Sequence, residues 1–350
     1  MKIAIDLSPL ESGHKVRGVG FYLLHLKDAL EKYFPEHDYI YFTSSSPKQG
    51  VDVIHYPYFD PFSTQSPKFG VIPTVVTVHD LTPIKFRSHF AAGIKGRIRW
   101  EFNKRSLAKS SAIITDSESS TGDVRKLVPI VPDKVRTVHL AAGEEFKQLS
   151  LSISQKDQLC KKYSLPESFA LYVGDVTWNK NLPRLLKAAV KAQIPLVLVG
   201  KAIDEKDFDR SNPWNKDRIE VQQIIAANNS ISALGFVSSE DLVSLYNLAT
   251  VFIMPSLYEG FGLPVIEAMQ SGCPVITSKE GSLPEVAGDS AYYIDAYSTK
   301  SISEGLQEVF SSDELQEELR RKGLERSQEF SWKKTAFDTL EVYKKVAHNR

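Results

Sequence analysis

Two glutamates, Glu259 and Glu267, bracket seven residues in the stretch Pro255-Ser-Leu-Tyr-Glu-Gly-Phe-Gly-Leu-Pro-Val-Ile-Glu-Ala-Met269. A strand-like run, Val251-Phe-Ile-Met254, leads in. A helix-like run, Val265-Ile-Glu-Ala-Met-Gln270, leads out to Gly272 and a second apolar strand, Pro274-Val-Ile276. Pro264 suits a first helical turn, where a missing N–H costs nothing, and Gly272 suits the C-terminal stop. The unpaired N–H groups of such a helix start, beside the bare backbone of Gly260 and Gly262, form a site for a phosphate or diphosphate. Glu259 then lies in the loop at its mouth. Glu267 lies about one turn into the helix, where a carboxylate can accept hydrogen bonds from a sugar diol. Taken singly, Glu267 need only complement the helix dipole, worth about 0.3–1 kcal/mol, and Glu259 need only be a solvated loop charge.

Three other stretches carry candidate chemistry. His79-Asp80 ends the apolar run Val75–Val78, and Asp80 either orients a ring nitrogen or caps the loop that follows. Arg17-Gly-Val-Gly20 precedes the helical run from Phe21, but Leu23 stands where a dinucleotide fingerprint needs its third glycine. From Lys85 to Lys109 cations alternate with Phe86, Phe90, Ile94, Ile98, Trp100 and Phe102, and Glu101 is the one acid. That stretch is either an amphipathic helix with a core face and a solvated face, or a contact for an anionic membrane or a lipid-diphosphate acceptor.

These residues need a frame, and the frame is an alternation of short apolar strands with helical patterns, which argues for parallel sheets covered on both faces. Strands are expected at residues 3–5, 39–42, 53–54, 75–78, 112–115 and 135–138. A second series follows at 170–173, 196–199, 231–234, 251–254, 275–277 and 291–294. The polar turn Ser164-Leu-Pro-Glu-Ser168 separates the series. The expected architecture is α/β, with two doubly wound Rossmann-like domains facing across a cleft: residues 1–165, then 166–331. Trp332, Ala336, Leu340, Tyr343 and Val346 share one face of a C-terminal helix, 332–350. Ligands of such sheets collect at the carboxyl ends of the strands, where the motifs fall.

The Glu-x7-Glu stretch resembles the signature of the family-4 retaining glycosyltransferases of the GT-B fold. The resemblance extends through Lys2-Ile-Ala-Ile-Asp6, Arg17-Gly-Val-Gly20, Val78-His-Asp-Leu-Thr-Pro83, Tyr172-Val-Gly174, Asn179-Lys-Asn-Leu182, Leu234-Gly-Phe-Val237 and Gly281-Ser-Leu-Pro-Glu-Val286. It implies that Glu267 holds the ribose of a nucleoside diphosphate sugar. Gly20, Lys180, Gly262 and Leu263 would cradle the diphosphate, with Gly18, Gly260 and Phe261 completing the donor set. His79 and Glu259 would act on the transferred sugar as catalytic residues. Lys180 is what this chain keeps of the family's usual pair of cations, since Asp175 and Asn179 occupy the other positions; Arg17, Arg184 or the helix N-terminus would compensate. The resemblance implies front-side attack, with the leaving phosphate taking the acceptor proton, and a terminal helix crossing back onto the first domain. The acceptor, a saccharide or a lipid-linked one, is expected over the first domain near His55, Tyr56 and Tyr58. Together with Phe330-Ser-Trp332, the pattern looks like that of bacterial surface-polysaccharide mannosyltransferases, which favours GDP-mannose over UDP-glucose or a related donor.

Bulk properties narrow the classes. Forty-three cations balance forty-three acids, so no global field argues for nucleic acid or membrane. Cys160 and Cys273 lie far apart, and reduced thiols in a cytoplasmic protein with peripheral membrane contact are expected. Asp207-Phe-Asp209 has the form of a metal-binding Asp-x-Asp, but its charged run from Asp204 to Arg210 reads as a solvated face; no metal and no cofactor are expected. Two rivals remain. One is a glycoside hydrolase, whose retaining carboxyls sit ~5–5.5 Å apart, against ~12 Å for eight helical steps. The other is a non-catalytic nucleotide-sugar-binding protein.

Overall fold

The computed structural model describes residues 1–11, 18–43, 45–47, 49–64, 67 and 69–348. Arg17 lies outside the described residues. Among the described residues the chain forms two parallel six-stranded sheets, each in its own compact unit. The first unit comprises Met1–Ala141 and Phe330–Arg350, the second Ala142–Glu329.

The first sheet is built from β1 (Lys2–Asp6), β2 (Asp38–Phe42), β3 (Val53–Tyr56), β4 (Thr74–Thr77), β5 (Ala112–Thr115) and β6 (Val135–Thr137), in the order β2-β1-β3-β4-β5-β6. The second is built from β7 (Ala170–Val173), β8 (Leu196–Val199), β9 (Ile231–Gly235), β10 (Val251–Met254), β11 (Val275–Ser278) and β12 (Tyr292–Ile294), in the order β12-β11-β10-β7-β8-β9. All pairings are parallel. Each strand falls on one of the apolar runs read from the sequence. Central strands such as β4, β5, β8 and β10 are buried at every position, which is why they read as continuous rather than alternating runs.

Counted within its unit, the second sheet has the strand order 3-2-1-4-5-6 of a Rossmann sheet. The order reverses between β7 and β10, where Phe252 lies opposite Leu171. Connections leave those two strands in opposite directions, so the loops beyond their carboxyl ends splay apart and open a crevice. Lys180 and Glu259 stand in these two loops.

The units divide at Ala141/Ala142, upstream of the Ser164–Ser168 turn. Residues 142–163 are tied to the second unit by specific contacts. The Gln270 amide donates to the carbonyls of Gly143 and Phe146, Phe146 meets Tyr246 edge-on, and Tyr163 donates to Asp241.

The C-terminal helix, Trp332–His348, packs in the first unit. Trp332, Ala336, Leu340, Tyr343 and Val346 are all buried. Trp332 stacks on His25, and Thr335 Oγ1 donates to the His139 carbonyl. Among the described residues no helix is long and apolar enough to cross a membrane.

Candidate functional site

In the second unit, the loop after β7 carries Lys180 and the loop after β10 carries Glu259. Lys180 Nζ donates to both carboxylate oxygens of Glu259, each at 2.8 Å. Glu259 is only 6% exposed, so it is a buried, paired anion and not the solvated loop charge a single glutamate suggests. Asn179 fixes the approach of the two loops. Its amide donates to the Tyr258 carbonyl at 3.0 Å, and its own carbonyl accepts from Leu257 N at 2.7 Å. Asn181, in the left-handed region at φ 59°, donates to the carbonyls of Pro255 and Ala296.

A third loop, after β11, grips the first two. Gly281 has φ +62°, and a Cβ there would lie 2.5 Å from the Glu259 carbonyl oxygen and 2.7 Å from its nitrogen. Only glycine lets those backbones approach so closely. Next to it, Ser282 Oγ reaches the carbonyls of Glu259 at 3.1 Å and Phe261 at 2.7 Å. The backbone on both sides of Gly260 is thereby pinned.

The helix Leu263–Gln270 begins there, with Gly262 as its N-cap at φ +102° and Pro264 in its first turn. Gly272, at φ +72°, ends it. Glu267 lies one turn in and accepts from Tyr246 Oη at 3.0 Å. Burial raises the Glu267 carboxyl to about 7, against a lowering by the Tyr246 hydrogen bond, and Glu145 adds a further like charge. At neutral pH a carboxyl so placed sits between its two protonation states, held ready for donors that would favour the anion.

In the first unit, His79 follows β4. Its Nδ1 lies 2.7 Å from Asp116 Oδ2 and its Nε2 lies 3.1 Å from the Pro57 carbonyl. Tyr22 meets the ring edge-on and Tyr58 stacks on it. Burial alone would lower the imidazole, but the charge and hydrogen bond of Asp116, then Asp80 and the Pro57 carbonyl, raise it. Burial raises Asp116 as well, with His79 opposing. The two directions agree on one arrangement. A carbonyl at Nε2 requires an N–H there, and a short contact at Nδ1 requires a proton between nitrogen and carboxylate. The pair therefore retains a proton above the ordinary range of either group.

Two family profiles match the sequence on either side of the unit division: Glycosyltransferase Family 4 over residues 33–142, and Glycosyl transferases group 1 over residues 155–326. O-antigen chain mannosyltransferase B of Escherichia coli is 30% identical over 280 residues, which cover 77% of this chain and 70% of that protein. The chain belongs to the glycosyltransferases of group 1. Serotype-specific mannosyltransferase WbdA of Escherichia coli is also 30% identical, over 284 residues, 78% of this chain but 33% of the relative. The chain thus spans about a third of the length of the WbdA relatives it matches. Among solved structures, sucrose-phosphate synthase from Thermosynechococcus elongatus superposes with a TM-score of 0.74 at 20% identity, covering all of both chains. The shared architecture is the GT-B fold of these glycosyltransferases.

Within this chain, Lys180, Glu259, Gly260, Phe261, Gly262, Leu263 and Glu267 are gathered by adjoining loops of one sheet and the helix that follows. His79, Gly18 and Gly20 belong to the first unit, where the two glycines open the helix Gly18–Tyr33. Some expectations need correction. His55 is fully buried with both ring nitrogens engaged by Thr77 and Tyr343, so it does not face an acceptor; Tyr56 is 8% exposed and Tyr58 half-buried. Asp80 caps the loop, accepting from Thr82 N, and Asp116 is what orients His79. Arg184 Nη1 meets the Asn181 side chain and the Ala296 carbonyl. Asp209 accepts from Ser211 N and Oγ, as in a local turn. Among the described residues no three His, Cys, Asp or Glu gather as a metal site.

Asp116 and Tyr246 escaped the sequence reading, and Ser282 stood in a quoted motif without a role. None has a spacing signal of its own, and only contacts distant in sequence reveal what each does. Asp116 carried the one available hint, as the first residue beyond β5.

Proposed function

We propose that the chain is a retaining hexosyltransferase that moves mannose from GDP-mannose to an acceptor hydroxyl in polysaccharide or glycolipid synthesis. The observation that carries the reading is the bidentate Lys180–Glu259 pair held one loop turn from the N-terminus of the Glu267 helix. Lys180 has three N–H donors, and Glu259 takes two. The third suits a phosphate oxygen of the donor. Because Glu259 cancels much of the lysine charge, the helix N-terminus at Gly262 and Leu263 carries a large share of the diphosphate's stabilisation.

Glu267 takes the ribose diol, whose hydroxyls would draw its carboxyl to the ionised form. Glu259 and His79 act on the transferred sugar. The departing diphosphate collects negative charge as the glycosidic bond breaks, and preorganised N–H donors in a site of low dielectric stabilise that charge without reorganising. Accepting the acceptor's proton on the departing phosphate needs no protein base and gives retention by front-side attack. The mannosyltransferase relatives favour mannose as the transferred sugar, and the reading needs no divalent ion.

A turnover screen of the full chain against GDP-mannose, UDP-glucose and related donors, with and without a chelator, tests it. Transfer from GDP-mannose with an α-anomeric product by NMR is expected. An inverted product, donor hydrolysis alone, or binding without turnover of any donor would overturn the reading.

A further inference from the structure

The helix Gly93–Leu107 buries one stripe, Gly96, Trp100, Asn103 and Leu107. It leaves a second apolar stripe in solvent: Ile94 is 78% exposed, Ile98 53% and Phe102 67%. At about 100° per residue, the exposed three share an arc of roughly 80°, and the buried four lie roughly opposite. The helix is therefore apolar on two opposed faces, and the sequence expectation of one core face and one solvated face describes only half of it.

Cations surround the exposed stripe. Lys95 and Arg99 flank it on one side, Arg97 and Lys104 on the other, and Arg105 rises from within it. Five cations meet one acid in this segment, and Glu101 is occupied by Lys104 at 2.7 Å. In a chain whose charges sum to zero, this is a strong local excess. Beside the helix start lies a cavity of about 150 Å³ with apolar walls, among them Phe62, Ile84, Phe90 and Trp100, and with Arg87 and Arg97 at its lining.

We propose that this face docks on an anionic phospholipid bilayer, with Ile94, Ile98 and Phe102 entering the headgroup–acyl boundary and the flanking cations meeting lipid phosphates. Apolar residues in a row with cations on both flanks are what an interfacial helix presents to such a surface. A second copy of the chain fits poorly, since a self-complementary contact would bring the same excess positive charge together across the interface. Nucleic acid also fits poorly, because two of the three central side chains are aliphatic and offer no ring to stack on bases.

Vesicle co-sedimentation of the full chain tests this, with phosphatidylcholine vesicles lacking or containing phosphatidylglycerol. The wild type should sediment only with the anionic vesicles and be released by salt. Replacing Ile94, Ile98 and Phe102 together by Ser should lower partitioning at least about tenfold. Lys95→Glu with Arg99→Glu should do the same with the apolar stripe intact. Far-UV circular dichroism establishes that each variant is folded, which exposed positions permit. A wild type that ignores anionic vesicles, a serine variant that binds like wild type, or a concentration-dependent dimer lost in Phe102→Ser would overturn the proposal. The assay reads no sugar transfer, so its outcome is separate from that of the transferase reading.

Discussion

Lys180 Nζ stands 2.8 Å from both carboxylate oxygens of Glu259, and the two residues come from the loops after β7 and β10, the strands between which the sheet order reverses. Each is the other's main compensation for burial. Lys180→Met should cost about 2–3 kcal/mol in urea unfolding, because it strands a carboxylate that is 6% exposed. Adding Glu259→Gln should restore at least about 1 kcal/mol. Strictly additive losses in this cycle would mean that the pair is incidental to the fold. In turnover, Lys180→Ala should lower kcat/KM more than Arg184→Ala, since Lys180 pairs with Glu259 whereas Arg184 Nη1 meets Asn181 and Ala296.

Glu267 gives a pH signature. Its carboxyl is raised to about 7 by burial, whereas an unfolded glutamate titrates near 4.5. Between those values the unfolded chain sheds a proton that the folded one keeps, so this group lowers stability as pH rises, by up to about 3 kcal/mol. Glu267→Gln should therefore stabilise the unliganded protein at pH 8 while weakening its hold on the donor. Donor affinity in the wild type should fall about tenfold per pH unit below about 7. Calorimetric titration across pH would sink the ribose assignment if wild type and Glu267→Gln bound with the same affinity and the same slope.

Much of this could be read from the sequence because parallel strands buried on both faces announce themselves as uninterrupted apolar runs. The glycine and proline around the Glu267 helix likewise occupy positions that only helix ends demand. What stayed hidden depends on contacts distant in sequence. The motif marked Glu259 as a site residue, but nothing in it announced the pairing with Lys180, seventy-nine residues earlier. His55 looked available for an acceptor because a histidine at a strand end gives no sign of a tyrosine 288 residues later. Whether Ile94, Ile98 and Phe102 were core or a membrane-facing stripe stayed open, because apolar spacing says which residues share a face, not which face is covered.

Gly281 is where a single methyl group should be felt in the site. Gly281→Ala puts a Cβ against the backbone of Glu259 at a φ of +62°, where L-residues are strained. The β11 loop must retreat, releasing the Ser282 bonds to Glu259 and Phe261. Donor turnover should fall at least about tenfold, since small misplacements of positioning groups are costly, with a stability loss of about 1–3 kcal/mol. Full turnover in Gly281→Ala would show that the Glu259 loop tolerates displacement.

The proton held by His79 and Asp116 should be visible by NMR. His79 ought to titrate above the usual histidine range, and Asp116→Asn should bring it down, since the charge and hydrogen bond that outweigh burial are then lost. Because the folded value is raised, the stability this pair contributes is complete below the unfolded histidine value and vanishes as pH rises through the folded one. An unchanged His79 titration in Asp116→Asn would assign the shift to Asp80 and the Pro57 carbonyl instead.

His55 should set the acid limit of the first unit. It is fully buried, its Nε2 is 2.8 Å from Thr77 Oγ1, and its Nδ1 is 2.6 Å from the Tyr343 hydroxyl on the C-terminal helix. Burial, with a smaller push from His79, lowers its imidazole to about 3. The neutral ring has one N–H and one bare nitrogen, so it donates to one of the two hydroxyls and accepts from the other; Thr77 Oγ1 also meets Tyr22. Below the unfolded value of about 6.5, the unfolded chain gains a proton that folded His55 refuses. Stability should then fall by roughly 1.4 kcal/mol per pH unit, or about 2 kcal/mol at pH 5. Tyr343→Phe keeps the ring in place but removes the hydrogen-bond partner of Nδ1, so it should cost about 1–3 kcal/mol at every pH. His55→Gln should flatten the acid slope that Tyr343→Phe leaves in place. Urea unfolding at pH 8 and pH 5 separates the two effects, and an equal pH 8 to pH 5 loss in wild type and His55→Gln would assign the acid sensitivity to another group.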